Sequence, residues 1–182
     1  MSVGGTGTGS LKPWIWLAGV SLVLGMLLFV GARSPSSLKH LIGTWFPEVA
    51  WVDAETLSGW MNREPSERPV ILDVRTKEEF DVSHLGGALR TDPDHPDIAA
   101  LNLRAESTVV VYCSVGARSA AIVDELVAAG FAKVYNLEGG IFDWANGGRP
   151  IFRDGEPTDQ VHPYGEPWGL YLKSELRAPL GN

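Results

Sequence analysis

The stretch Cys113-Ser114-Val115-Gly116-Ala117-Arg118 holds the only cysteine of the chain, and its residue types suit covalent chemistry. A thiol becomes a nucleophile once ionised, and a loop of backbone N–H groups at a helix N-terminus favours an anion. Gly116 lets the backbone curl close to a bound group, and Arg118 supplies a fixed cation for an oxyanion. A lone cysteine can instead be a buried, inert small hydrophobe. A core residue of that kind needs neither the glycine nor the arginine, so the nucleophilic reading is preferred.

Three apolar runs must position this loop. Residues 108–112 are β-branched and apolar, which reads as a buried strand ending just before Cys113. Residues 119–129 then carry helical spacing at Ile122, Val123, Leu126 and Val127, with Gly130 as the stop. Residues 70–74 form a second strand, after which Thr76 and Glu79 make a capping box for a short helix carrying Phe80. Residues 133–137 form a third strand, and Gly139-Gly140 turns into a short helix with Phe142 and Trp144. Asp53 is a good N-cap for an earlier helix through Leu57 and Trp60. Strands alternating with helices predict an α/β domain with a mainly parallel central sheet flanked by helices. Ligands of such sheets bind at the carboxyl ends of the strands, where Cys113 falls. Asp73 and Arg75, also at a strand end, read as supporting residues that fix loops by hydrogen bonds.

Cys113 to Arg118, with Asp73-Val74-Arg75, Glu79-Phe80, His84-Leu85-Gly86-Gly87-Ala88 and Gly139-Gly140-Ile141-Phe142-Asp143-Trp144, resembles a single-domain rhodanese of the thiosulfate sulfurtransferase superfamily. The resemblance covers about residues 50–150. It implies an enzyme in which Cys113 takes sulfane sulfur as a persulfide and passes it to a thiol, or to cyanide in assays. It further implies that Ser114, Val115, Gly116, Ala117 and Arg118 form the substrate cradle and that Ser119 opens the following helix. Phosphatases of the same fold carry five residues between cysteine and arginine, whereas four intervene here, so a phosphatase is the weaker alternative. Efficient thiosulfate users of the family tend to carry extra cations in the loop. Ser114 and Val115 are neutral, so a protein or low-molecular-weight persulfide is expected to be a more natural donor than thiosulfate. A second reading is a non-catalytic rhodanese scaffold that binds a partner at a membrane.

Composition narrows the partners. The formal net charge is −7 and no basic stripe is present, which disfavours nucleic acid. His84 and His95 lack a second ligand at metal-binding spacing, and the run Asp92-Pro93-Asp94-His95-Pro96-Asp97 lacks the glycine and terminal glutamate of a calcium loop. No metal and no other cofactor is expected.

The chain ends differ from the middle. Residues 1–13 read as a disordered tail. Residues 14–32 are apolar and uncharged, with Trp14 and Trp16 at one end. As a helix they span roughly 28 Å, close to a hydrocarbon thickness of about 30 Å. A single-pass membrane anchor is expected, with a cleavable signal peptide as the alternative. Lys12 against Arg33 and Lys39 leaves the side of the soluble domain open. Pro35 is expected to stop the helix, and residues 33–49 to be a linker. Residues 151–182 lie outside the rhodanese pattern. Trp168, Leu170, Tyr171 and Leu172 are too apolar for a free tail, so this extension is expected to strap the domain, with a partner contact or a pocket wall as alternatives.

Overall fold

The structure is a computed structural model that describes residues 35–180 apart from His95, Glu166 and Pro167. The described residues belong to one of two compact units, Ser34–Asn182. The expected membrane helix over 14–32 lies outside the described residues. Among those described, no helix is long and apolar enough to cross a membrane.

The chain runs through α1 (Pro35–Trp45), β1 (Trp51–Val52), α2 (Ala54–Met61), β2 (Val70–Asp73), α3 (Lys77–Val82), β3 (Leu89–Arg90), β4 (Val109–Tyr112), α4 (Ala117–Ala128), β5 (Val134–Leu137) and α5 (Gly140–Asn146). A hairpin, β6 (Ile151–Arg153) and β7 (Glu156–Thr158), follows. The five-stranded sheet has the order β1-β5-β4-β2-β3 with every pair parallel. Its centre is β4, buried at all four positions, which is why the run reads as continuously apolar rather than alternating.

Local chemistry explains the element ends. Asp53 caps α2 by accepting from the Thr56 N–H at 2.8 Å. Thr76 and Glu79 close a reciprocal capping box on α3. At the end of α4, Phe131 N–H donates to Leu126 and Gly130 N–H to Val127, the paired bonds of a Schellman stop. Ile122, Val123 and Leu126 are buried, whereas Val127 is exposed.

One expectation about residues 33–49 is corrected. Residues 35–45 are not a linker, because they form α1, which buries Leu38 and Ile42 on one face. Pro35 is the first residue of α1, a position where its missing N–H leaves no bond unmade, and the helix it was expected to stop lies outside the described residues.

The sheet's connections set up a crevice. The path from β2 leads to β3 at one edge, and the path from β4 leads to β5 in the opposite direction. Parallel sheets bind ligands outside the carboxyl ends of strands at such a reversal. Two loops meet there, residues 74–76 after β2 and residues 113–116 after β4.

The extension packs on this domain. Val161 N–H donates to Leu176 and Ala178 N–H to Val161, while Asn146 on α5 holds Tyr171 and Lys173 by its side-chain amide. Val161 and Leu172 are buried.

Candidate functional site

Cys113 begins the turn from β4 into α4, and Gly116 makes that turn possible. It is the N-cap residue of α4 at φ +98°, a left-handed conformation open to glycine. Gly116 N–H points back and donates to Cys113 Sγ at 3.2 Å. The helix therefore starts at Ala117, two residues before the expected opening at Ser119. Ser119 is buried in the first turn, with its Oγ 2.7 Å from Asn136 Oδ1 and 3.5 Å from Cys113 Sγ. Asn136 Nδ2 in turn donates to Gly116 O at 2.8 Å, tying the loop to β5.

The loop's carbonyls are drawn the other way. Ile141 N–H at the start of α5 donates to Cys113 O at 3.0 Å, and Phe142 N–H to Ser114 O at 3.1 Å. A trans peptide points its N–H opposite its C=O, so the Ser114 and Val115 amides face away from α5. This close approach needs Gly140. A Cβ there would overlap the Cys113 carbonyl oxygen and sit 2.7 Å from the Ser114 carbonyl. The loop is an amide-lined cradle because α5 holds its acceptors.

Arg118 is not a free cation. Nη1 and Nη2 each donate to a Glu79 oxygen at 2.8 Å, and Nη2 also reaches Ser114 Oγ at 3.0 Å. Ser114 Oγ donates to Glu79 at 2.8 Å. Burial pushes the Glu79 carboxyl up, but the Arg118 fork and the Ser114 hydroxyl outweigh it and hold Glu79 below its ordinary range. Glu79 thus performs two tasks, capping α3 and neutralising Arg118.

Asp73 and Arg75 form a second, fully buried pair. Arg75 Nε and Nη2 grip the Asp73 carboxylate at 2.9 and 2.7 Å, and Nη2 also donates to Ser83 O. Tyr112 OH donates to Asp73 Oδ2 and accepts from Leu85 N–H. Tyr112 immediately precedes Cys113, so this network fixes the root of the loop and contacts no open space.

Cys113 is only 1% exposed, yet it is not sealed in apolar packing. It opens on a cavity of ≈ 100 Å³ lined by Cys113, Ser114, Val115, Ala117 and Arg118, together with Tyr164 and Trp168 from the extension. The Arg118 guanidinium lies 4.5 Å from the Tyr164 ring centroid. A larger cavity of ≈ 370 Å³ lies within the extension, between Pro163, Gly169, Leu170 and Leu180, and contains no nucleophile.

The profile of the rhodanese-like domain matches residues 53–147, just over half of the chain. The protein belongs to the rhodanese-like family. A sulfurtransferase of Allochromatium vinosum is 33% identical over 100 residues, 55% of this chain and 92% of that protein. A tRNA uridine(34) hydroxylase of Burkholderia ambifaria is 38% identical over 103 residues, but the match spans 51% of this chain and only 36% of the hydroxylase. The polysulfide-sulfur transferase homodimer of Wolinella succinogenes shares the fold, with a TM-score of 0.53 at 22% identity over 66% of this chain and 90% of that one.

Within this rhodanese-like domain the structure brings Cys113, Ser114, Val115, Gly116, Ala117, Arg118 and Ser119 together, with Asp73 and Arg75 behind the loop. Sequence reasoning missed Glu79 as the partner of Arg118, Asn136 as a tie, and Tyr164 and Trp168 as the cavity's outer wall. A polar residue inside a buried strand was the available signal for Asn136. No group of histidine, cysteine, aspartate or glutamate side chains among the described residues could hold a metal. His84 stacks on Phe80 at 4.0 Å, and His95 lies outside the described residues. In the acidic run, Asp92 and Asp97 accept from Asp94 and Ala100 N–H groups, which is turn chemistry.

Proposed function

We propose that this protein is a sulfurtransferase in which Cys113 carries sulfane sulfur as a persulfide. The observation that carries the reading is the placement of Sγ, which receives the Gly116 N–H at 3.2 Å and opens on a small cavity at the carboxyl end of the central strand. The family supplies the chemistry, and its sulfurtransferase relative supports it.

The reaction proceeds in two displacements. The Cys113 thiolate attacks the outer sulfur of a donor and forms a new S–S bond. The donor's own S–S bond breaks, and its electron pair leaves on sulfite when the donor is thiosulfate, or on a thiolate when it is a persulfide. The persulfide anion then rests against the loop amides, whose N–H dipoles stabilise it. A thiol or cyanide acceptor attacks the outer sulfur, and the electron pair returns to Cys113. Ser119 Oγ, 3.5 Å from Sγ, positions the sulfur. Asp73 and Arg75 hold the loop from behind.

Because Glu79 neutralises Arg118, the cradle holds no net positive side-chain charge to draw in a dianion, which supports persulfide donors over thiosulfate. A net charge of −7 also argues against a nucleic-acid substrate of the sort named for the hydroxylase relative. The same proposal attaches the protein to a membrane by a single pass through residues 14–32, on the strength of that run's length and lack of charge.

Intact-mass measurement of the full-length protein after mixing with sulfur donors tests the reading. Wild type should gain one sulfur that reduction removes, and Cys113→Ala should gain none. Absence of an adduct with thiosulfate, inorganic polysulfide and glutathione persulfide alike would favour a non-catalytic scaffold.

A further inference from the structure

We infer that Tyr164 and Trp168 are specificity-determining residues that admit small sulfane chains, inorganic polysulfide in particular, to Cys113 and shut out peptide-sized persulfides. This rests on the sulfurtransferase reading of Cys113 and narrows its donor.

Size makes the first argument. At ≈ 100 Å³ the cavity holds roughly three waters at about 30 Å³ each. Pockets for drug-sized ligands run from about 300 to 1,000 Å³, so a tripeptide persulfide does not fit between Cys113 and the two rings. A short sulfur chain does.

Charge and polarisability make the second. Arg118 is doubly bonded to Glu79, so the entering donor meets amide dipoles rather than an unpaired guanidinium. Aromatic rings also suit soft, polarisable sulfur, and a tyrosine and a tryptophan line the cavity that holds Cys113.

The wall itself is held in place. Tyr164 sits at φ +65°, a left-handed backbone that bulky residues rarely adopt and that clusters at functional positions. Its N–H donates to His162 Nδ1 at 3.0 Å, and its ring covers the Arg118 guanidinium. Gly165 N–H donates to Pro163 O at 2.7 Å, and Gly169 N–H to Gly165 O at 3.0 Å. Trp168 stacks with Tyr171 at 6.3 Å. These bonds hold the backbone that carries the two rings, while the Tyr164 side chain itself stays partly exposed.

The test compares wild type, Tyr164→Ala, Trp168→Ala and Tyr164→Phe as full-length proteins, reading the rate of sulfur gain by intact mass. Probes are disodium tetrasulfide and glutathione persulfide. Wild type and Tyr164→Phe should prefer the inorganic donor by at least about tenfold, equivalent to roughly 1.4 kcal/mol of barrier. Either alanine variant should cut that preference several-fold by raising the glutathione persulfide rate. A preference absent from wild type, or unchanged in both alanine variants, overturns the inference. A parallel readout needs no sulfur transfer: the ratio of Cys113 alkylation by iodoacetamide to that by N-phenylmaleimide. If that ratio falls in the alanine variants while no donor adds sulfur, the size filter stands and the sulfurtransferase reading fails. If sulfur is gained normally and the ratio does not move, the filter fails and the sulfurtransferase reading stands.

Discussion

Replacing Gly140 by alanine isolates the contact on which the cradle depends. Gly140 has φ +57°, and an added Cβ would overlap Cys113 O and lie 2.7 Å from Ser114 C and O. An L residue in the left-handed region costs about 1–2 kcal/mol. The obstructing atoms are backbone, so the start of α5 must withdraw. That weakens the Ile141–Cys113 and Phe142–Ser114 bonds of 3.0 and 3.1 Å, each contributing about 0.5–1.5 kcal/mol. The sum is about 2–5 kcal/mol, a fall in Tm of roughly 4–20 °C at about 2–4 °C per kcal/mol. Gly148→Ala is the control. Gly148 has φ +71° with nothing within 4 Å of its Cβ position, so it pays the conformational term alone, about 1–2 kcal/mol. Thermal melts of both variants separate the two contributions. Sulfur transfer by Gly140→Ala should also fall about a hundredfold, since displacing reacting groups by about 1 Å has that effect. Equal melting shifts for the two variants would refute the claim that α5 holds the loop.

Glu79→Gln should unfold more easily by about 1.5–3 kcal/mol, the worth of hydrogen bonds to a charged group, and should lower the KM for thiosulfate by freeing the Arg118 charge. Because the folded Glu79 carboxyl lies below its ordinary value of 4.5, its stabilisation is complete above that value and is lost as pH falls through the depressed one. Acid titration of stability should therefore bring wild type and Glu79→Gln together at low pH. Tyr112→Phe leaves the buried Leu85 N–H without its acceptor and removes one of the donors to Asp73, and denaturant melts should show a loss of about 1–3 kcal/mol. The acidic protein repels anionic donors at long range, and salt screens that repulsion over about 10 Å at 0.1 M. Persulfidation by polysulfide should thus speed up with salt; a steep fall would reveal an unpaired cation at the cradle. Deleting residues 1–33 should move the protein from the carbonate-washed membrane fraction to the supernatant, and a full-length chain already found in the supernatant would contradict the anchor.

The parts of the fold legible in the sequence are those whose cause is local. Fully buried parallel strands leave continuous apolar runs, so β2, β4 and β5 stand out, and Asp53 and the Thr76–Glu79 box mark helix starts by side-chain chemistry. The strands β1 and β3 have two residues each, too few for any periodicity, and they exist because the neighbouring strands offer edges to pair with. Leu38 and Ile42, four residues apart, were the available sign of α1, but Pro35 reads equally as a stop or as a first helical residue. Cys113 and its loop were legible because strand, glycine, arginine and helix are contiguous. Glu79 was not. It lies 39 residues from Arg118, and its role as a capping residue already explained its presence. Tyr164 and Trp168 showed only as aromatic density in the extension, and nothing local says which surface such residues cover.

The crevice explains why these distant groups had to meet. Each strand delivers whatever follows it to the same end of the sheet, so α3 begins beside the loop that leaves β4 because β2 and β4 are neighbours. A glutamate in the first turn of α3 then faces an arginine in the first turn of α4, and each cancels the other's charge where a bare guanidinium would have favoured oxyanions. What survives at the sulfur is a field of uncharged N–H dipoles. Such a field stabilises one compact negative charge, which in the proposed reaction is that of the thiolate before it takes up a sulfur and of the persulfide afterwards. On the proposed sulfur-transfer reading, the pairing of Glu79 with Arg118 bears on donor charge and the aromatic wall on donor size, and both meet at the Arg118 guanidinium. Because Tyr164 and Glu79 both touch the Arg118 guanidinium, combining Glu79→Gln with Tyr164→Ala should change the barrier for thiosulfate by an amount that differs from the sum of the single changes, and strict additivity would show the two contacts to be independent.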